Sequence, residues 1–426
     1  MPHTPAVEII TIGDELLYGQ VIDTNSAWMG QELGKIGLRI RQISSVSDQA
    51  EEIVRALDEA RGRAQVVLMT GGLGPTKDDL TKHVLARYFH SELALYEPSL
   101  RDVEAIFARF NRPMLEVNRQ QAFLPTACTP LRNTVGTAPG MWFDGEDGVV
   151  FVSMPGVPFE MKYLMTTHVL PKLQQHFQVP PIEHAVLQTV GQGESFLAEQ
   201  IADWEAQLPP NMKLAYLPSF GAVRLRLTAT DDGQPDLRRR LEAQLPAVRA
   251  LIGPYLFAEG EVTLEAALGA LLQERGLTIG TAESCTGGTI AQRLTSVPGS
   301  SAYFLGSVVA YSNQVKVSQL GVSPDTLEQF GAVSEQTVRE MAEGLRRQLG
   351  VDVAVATSGI AGPGGGTDEK PVGTFWLAYA DQHHTIARKV SMNRGRELNI
   401  SYISTVALDL VRRNLPAPEA LSPQAS

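Results

Sequence analysis

The sequence predicts an α/β protein of three parts, and three observations lead there. Apolar strand runs alternate with helical patterns through the first third, and again after Val262. A shorter block between them, residues 183–254, orders its elements differently. The chain has 426 residues, and single cores stop growing near about 250–300 residues, so two or three domains are expected.

The elements read in order. Val7 to Ile12 is a short buried-strand run, and Thr24 to Lys35 has a helical pattern. Leu38 to Val46 reads as a strand and Gln49 to Arg61 as a helix. Gln65 to Thr70 (QVVLMT) and Val149 to Met154 (VVFVSM) are apolar strands ending in Gly71 and Pro155-Gly156. Strands alternating with helices imply a mostly parallel sheet covered on both faces. Gln178 to Ile182 (QVPPI) reads as a linker. The middle block then runs strand, helix, strand, strand, helix, which makes a small α+β unit. It carries no catalytic constellation and reads as a spacer or dimerisation module. The third part opens with the amphipathic helix TLEAALGALLQERG. Its strands are LTIGT, YFLGSVVAY, VDVAVATSG and GTFWLAYA, and a last helix runs from about Glu397 to Arg413. The tail LPAPEALSPQAS is rich in Pro, Ala and Ser, and disorder is expected there.

Composition narrows the function. Apolar residues make up 43% of the chain and charged residues 19%, with a net charge of −11. That is a soluble composition. It argues against a broad nucleic-acid footprint, which needs clustered Lys and Arg. The two cysteines, Cys128 and Cys285, form neither a disulfide framework nor a zinc spacing, which fits a reducing compartment. The start MPHTPAVEIITIGDE has no basic segment followed by an apolar run, and no stretch is long and apolar enough to span a bilayer. The cytoplasm is the expected location, without membrane attachment.

Four segments of the last part carry chemistry. In TAESCTGG, Ser284 follows a strand and precedes a helix, where orphan N–H groups favour developing negative charge. Taken alone, Ser284 is equally an N-cap. In VVAYSNQVK, Tyr311 and Lys316 would project toward one point if a helix starts at Ser312. A Ser hydroxyl needs a base. No His lies near these motifs, since His383 and His384 fall in the turn DQHH between two strands. A Lys with its pKa lowered by burial can serve instead, although a lone Lys is more often a surface residue. ATSGIAGPGGG ends a strand in Ser358-Gly359 and continues as a glycine-rich loop able to offer N–H groups. MNRGRE places Arg394 and Arg396 before the last helix, where either could grip a phosphate or a carboxamide.

AESCTGG, AYSNQVK and ATSGIAGPGGG together resemble the C-terminal domain of the CinA family, over about Val262 to Leu415. That domain also occurs alone as the bacterial nicotinamide mononucleotide (NMN) amidohydrolase. The resemblance implies hydrolysis of NMN to nicotinic acid mononucleotide and ammonia. It implies Ser284 as nucleophile, Tyr311 and Lys316 as activating residues, and Ser358 where the family often has Thr. Cys285, Thr286, Gly287, Gly288, Asn313, Gly359, Gly362, Arg394 and Arg396 are the expected substrate contacts. Asn393-Arg394 fits the family's arginine element best, with Arg396 as the alternative. No cofactor is expected for this reaction.

In the first part, TIGDELLYGQVIDTN, MTGGLGPTKDDLT, NTVGTAPG and MPGVPFEM gather where parallel strands would end, the usual ligand crevice. Glycine loops with free N–H groups suit phosphate, and carboxylates suit a hard cation such as Mg²⁺. Asp78 and Asp79 equally suit the start of a helix. GGLG is not the GxGxxG fingerprint, so NAD binding is not supported.

These segments resemble the molybdopterin-binding domain of the MogA, MoaB and MoeA proteins, and match more closely the N-terminal domain of the CinA family. The resemblance implies a three-layer α/β/α sandwich and an ADP-ribose pyrophosphatase needing a divalent cation. The expected metal ligands are Asp14, Glu15, Asp78 and Asp79. The expected nucleotide contacts are Asn25, Gly71, Gly72, Gly74, Thr76, Gly136, Pro155 and Gly156. The middle block corresponds to the family's small KH-like domain, but no GXXG loop lies between two helices there, so it reads as structural. The expected parts are residues 1–177, 178–257 and 258–415, followed by a tail, 416–426. The expected partners are NMN, ADP-ribose and a second copy in a homodimer. The contrasting reading is an adaptor linked to competence or DNA damage, with an inactive N-terminal domain that only binds its ligand.

Overall fold

The computed structural model describes residues 5–74, 76 and 80–416. The chain divides into two compact units, Met1–Glu183 with Thr230–Leu237, and His184–Ala229 with Arg238–Ser426.

The first unit is built on a six-stranded sheet. Strands β1 (Ala6–Ile12), β2 (Arg39–Val46), β3 (Val66–Thr70), β4 (Thr129–Leu131), β5 (Gly140–Asp144) and β6 (Val150–Met154) lie in the order β2-β1-β3-β6-β5-β4. The pairs joining β2, β1, β3 and β6 are parallel; β5 pairs antiparallel with β6 and with β4. Successive side chains of a strand point to opposite faces, and β1 is apolar on both. Val7 and Ile9 pack against Met29 and Leu33 of helix α1 (Thr24–Lys35), while Ile10 and Ile12 pack with Ile53 and Leu57 of helix α2 (Ala50–Arg61). Helix α3 (Thr81–Tyr88) joins the second face through Val84 and Leu85. Helix α4 (Pro158–Leu164) covers the first face through Met161 and Leu164. The result is the expected three-layer sandwich. Because β1, β3 and β6 are parallel, the segments that follow them, starting at Gly13, Gly71 and Pro155, emerge at one edge.

In the second unit, the middle segment forms a four-stranded sheet. Its strands are β7 (Ile182–Val190), β8 (Met212–Ser219), β9 (Ala222–Thr230) and β10 (Leu256–Glu259), in the order β8-β9-β7-β10. Helices α5 (Glu194–Ala206) and α6 (Leu245–Ile252) pack on each other, and Leu197, Ile201 and Val248 are fully buried.

The last segment carries helix α7 (Leu264–Glu274), strand β11 (Ile279–Glu283), helix α8 (Thr289–Thr295), strand β12 (Phe304–Val309), and helices α9 (Asn313–Leu320) and α10 (Glu335–Leu349). Strands β13 (Val353–Gly359), β14 (Thr374–Ala380) and β15 (Thr385–Ser391) and helix α11 (Arg396–Asn414) complete it. The sheet order is β12-β11-β13-β14-β15, with β12, β11 and β13 parallel and the last two strands antiparallel. One face buries Leu268, Ile290, Ile403 and Leu408 from α7, α8 and α11 against Val353, Val355, Phe375 and Leu377. The other face is lined by Ala282, Ala354, Ala356, Ala378 and Ala380, against Leu320 of α9 and Val338, Met341 and Leu345 of α10. These small side chains let α10 lie close to the sheet. Among the described residues no helix is long and apolar enough to cross a membrane.

Candidate active site

The site in the second unit forms where β11 ends. Ser284 is the first residue after the strand, 8% exposed, and its N–H is bonded to the Thr357 carbonyl at 3.0 Å. The chain then turns through Gly287 and Gly288, whose φ angles of 62° and 102° are open to glycine at little cost. Parallel β12 ends beside β11 and delivers Ser312, which caps α9 by accepting the Val315 N–H at 3.2 Å. Lys316 lies one turn into α9. It is 1% exposed, and its Nζ donates to Ser284 Oγ at 3.1 Å and to the Ala310 carbonyl at 2.7 Å. No carboxylate partners this ammonium among the described residues, and burial lowers its pKa from the ordinary lysine value.

Two backbone donors stand beside Ser284. The N–H groups of Gly287 and Thr289 are taken by the carbonyls of Ser284 and Thr286. Those of Gly288, Ile290 and Ala291 are taken by the carboxylate of Glu283. Among the described residues only the N–H groups of Cys285 and Thr286 in this turn carry no hydrogen bond. The Cys285 thiol is 6% exposed and burial pushes its pKa up to about 12, so the sulfur stays protonated while the hydroxyl beside it meets an amine.

Tyr311 is 61% exposed and its hydroxyl is bonded to Arg396, not to Lys316. Arg396 Nη2 donates to that oxygen at 2.9 Å and Nη1 to the Gly362 carbonyl at 3.0 Å, so this guanidinium joins the α9 side to the glycine loop. Among the described residues Arg394 is tied only through its backbone N–H, to Asn399 Oδ1 at 3.0 Å. The geometry therefore brings Arg396, and not Arg394, to Tyr311, although both side chains are exposed. Ser358 is not turned to the nucleophile: its hydroxyl donates to the Ala332 carbonyl at 2.6 Å. Gly359 is a ladder residue opposite Phe375, without room there for a Cβ. Asn313 is exposed at the start of α9. Glu283 and Thr357, whose hydroxyl lies 2.8 Å from that of Thr286, are buried beside the turn and were not singled out from the sequence. The signal for Glu283 was its place directly before the nucleophile, at the end of an apolar strand.

In the first unit, a cavity of about 380 Å³ sits at the edge where β1, β3 and β6 end. Asn25, Gly71, Gly72, Gly74, Pro155 and Gly156 line it, and Thr76 lies on an adjoining cavity with Lys82 and His83. Asn25 is fixed by donating to the Gly156 carbonyl at 2.8 Å and to Thr70 Oγ1 at 3.1 Å. Its Oδ1 is buried without a partner. Of the four expected metal ligands, Glu15 lines the cavity and Asp14 does not, while Asp78 and Asp79 lie outside the described residues. Two further carboxylates line the wall. Asp23 also caps α1 through the Ser26 N–H. Glu160 is 8% exposed and accepts from Asn133 Nδ2 at 2.6 Å; burial pushes its carboxyl pKa up. Gly136 does not line the cavity but makes room for Glu160, since a Cβ there would fall 1.9 Å from its carboxyl carbon. Glu160 is visible in the sequence only as the acid of MPGVPFEM.

The three segments match three family models. The CinA C-terminal domain matches residues 261–415, the probable molybdopterin binding domain residues 8–175, and the damage-inducible protein CinA KH domain residues 184–258. A CinA-like protein of Cytophaga hutchinsonii is 50% identical over 408 residues, covering 96% of this chain and 97% of that one. This chain belongs to the CinA family. A CinA-like protein of Flavobacterium psychrophilum is 43% identical over 409 residues, covering 96% and 98% of the two chains. Among solved structures, the competence/damage inducible protein CihA from Agrobacterium tumefaciens is 40% identical, covers 35% of this chain and 92% of its own, and has a TM-score of 0.34.

Proposed function

We propose that the C-terminal segment of this CinA-family chain is an amidohydrolase that converts NMN and water to nicotinic acid mononucleotide and ammonia. The observation that carries this reading is the bond from buried Lys316 Nζ to Ser284 Oγ. Neutral Lys316 takes the Ser284 proton as Oγ attacks the carboxamide carbon. The N–H groups of Cys285 and Thr286 receive the oxyanion. Lys316 then returns its proton to the leaving ammonia, and water, activated by the same amine, hydrolyses the acyl-enzyme to nicotinic acid mononucleotide. Arg396 anchors the phosphate and Tyr311 orients that guanidinium. The amidase uses side chains and backbone alone. The test is ammonia release from NMN by the full chain beside Ser284→Ala; no release by wild type would overturn the reading.

For the N-terminal segment we propose a cation-dependent ADP-ribose pyrophosphatase. Glu15, Asp23 and Glu160 line its cavity, and no Lys, Arg or His does among the described residues. A diphosphate entering such a wall needs neutralisation, which a divalent cation bound with it supplies. Glu15 and Asp23 would hold that cation, with the N–H groups of the Gly71 to Gly74 loop on the phosphates. Cleavage of ADP-ribose that vanishes in chelator supports this reading. Its absence with every divalent cation would favour a domain that binds without catalysis. We propose the cytoplasm for both activities, a reading that the two free cysteines and the free nucleotide substrates suit.

A further inference from the structure

Glu283 is a fully buried carboxylate for which the proposed reaction has no use. It ends β11 directly before Ser284, and among the described residues it has no cationic partner. Its Oε2 accepts from the N–H groups of Gly288 at 3.0 Å and Ile290 at 3.1 Å. Its Oε1 accepts from the Ala291 N–H at 2.8 Å and from Thr281 Oγ1 at 3.2 Å. A charge buried this far from solvent persists only when its hydrogen bonds are met, and here three are met by the start of α8.

We propose that Glu283 is a positioning residue that fixes the turn after Ser284, so that the Cys285 and Thr286 N–H groups, and those alone, remain for the oxyanion. This rests on the amidase reading. From Ser284 to Ala291 every other N–H is committed, three of them to Glu283. Without the carboxylate, buried donors at the start of α8 would be orphaned, and the turn would move to find them partners.

Glu283→Gln tests this in the full-length protein. The side chain keeps its shape, but one oxygen becomes an NH₂ that faces N–H donors. The expected result is a fall of about 10²-fold in kcat, the size of a lost oxyanion donor. KM should change by less than about 3-fold, since ground-state binding is untouched. Affinity for pyridine-3-boronic acid, which forms a tetrahedral anionic adduct on the serine, should fall in parallel. Affinity for nicotinic acid mononucleotide, whose carboxylate is planar, should hold. Wild-type kcat and boronate affinity in the variant would overturn the proposal. So would an equal loss of boronate and product affinity with a lowered Tm, which a merely structural role gives. Thr281→Val covers a variant that fails to fold: it removes one bond to Glu283 and one to Ser307, and spares the three backbone bonds. A loss of a few-fold in kcat with unchanged KM is expected, and no change there would also overturn the proposal. Absence of ammonia release and of a boronate adduct in wild type would instead sink the amidase reading itself.

Discussion

Lys316 Nζ lies 3.1 Å from Ser284 Oγ, and its second bond, 2.7 Å to the Ala310 carbonyl, fixes the amine at the end of β12. A protonated amine would donate to both oxygens and could take nothing from the hydroxyl. A neutral amine can keep the Ala310 bond and accept the serine proton. Burial makes the neutral form accessible.

Ser284→Ala and Lys316→Ala should each lower kcat for NMN hydrolysis by several orders of magnitude, because nucleophile and base act as a unit. In wild type, kcat/KM should rise with pH through an apparent pKa below the ordinary lysine value of about 10.4. Steady-state ammonia release across pH 6 to 10 checks both. A Lys316→Ala enzyme within a few-fold of wild type would rule out Lys316 as the base.

The same burial has a cost in stability. The folded-state pKa of Lys316 is lowered, so between that value and the unfolded one the unfolded chain binds the extra proton and the folded chain resists it. Stability should therefore rise with pH between the lowered folded value and the unfolded one. Lys316→Met removes the titrating group. It should abolish activity, flatten that part of the pH dependence and raise stability at pH 7, as read by urea unfolding at pH 7 and pH 9.5. Equal slopes in the two proteins would show that Lys316 is not the titrating group.

Much of this was legible in the sequence, for reasons that can be named. β3 and β6 are buried on both faces, so they read as unbroken apolar runs. Helix α1 was bounded as observed because Asp23 caps it and apolar residues recur on one face. QVPPI, expected as a linker, leaves the helix Leu170–Phe177 through Gln178 with φ 44° and enters β7 at Ile182. What stayed hidden depends on contacts between distant segments. Arg394 and Arg396 are equivalent by spacing; the choice follows from Gly362 and Tyr311, far away in sequence. Ser358 reads as a reactive hydroxyl until its bond to Ala332 is seen. Glu160 carries no local signal because its meaning comes from Asn133 and Gly136.

The arginine assignment has a direct test. Arg396→Ala should raise KM for NMN by about 10- to 100-fold with a smaller change in kcat, as expected for binding made equally in ground and transition states. Arg394→Ala should change neither by more than a few-fold, because among the described residues its side chain makes no hydrogen bond or ion pair that holds the site. The reverse pattern would return the anchoring role to Arg394. Tyr311→Phe should fall between them, since it removes only the oxygen that orients Arg396.

The two proposed activities should be separable. Gly136→Ala forces a Cβ into the space of the Glu160 carboxyl, a strain of about 1–3 kcal/mol for overpacking a filled site. It should weaken ADP-ribose cleavage and leave NMN hydrolysis intact. Excess chelator should do the same, because no metal enters the proposed amidase mechanism. Loss of ammonia release in either condition would contradict that separation.

The last prediction concerns how much of the second unit the amidase needs. Ser284, Lys316, Arg396 and the groups that hold them all lie between Thr281 and Arg396 of the C-terminal segment. Yet its core borrows from the middle segment. Val190 of β7, 1% exposed, and Phe257 of β10 pack with Leu264 and Leu268 of α7. Phe220 meets Tyr402 of α11 edge to face, with ring centroids 5.7 Å apart, and Arg413 donates to the Val190 carbonyl at 3.3 Å. Strand β10 runs to Glu259 as the edge of the middle sheet, so a cut at residue 258 would split it. A fragment of residues 261–426 should therefore keep the full-length kcat at low temperature. It should also melt several degrees below a fragment of residues 184–426, because α7 and α11 lose apolar cover. Tm and kcat measured on both fragments decide the matter. Equal melting temperatures would mean that the middle segment adds nothing to this core. A folded 261–426 fragment without activity would mean that a residue of the middle segment acts in the site.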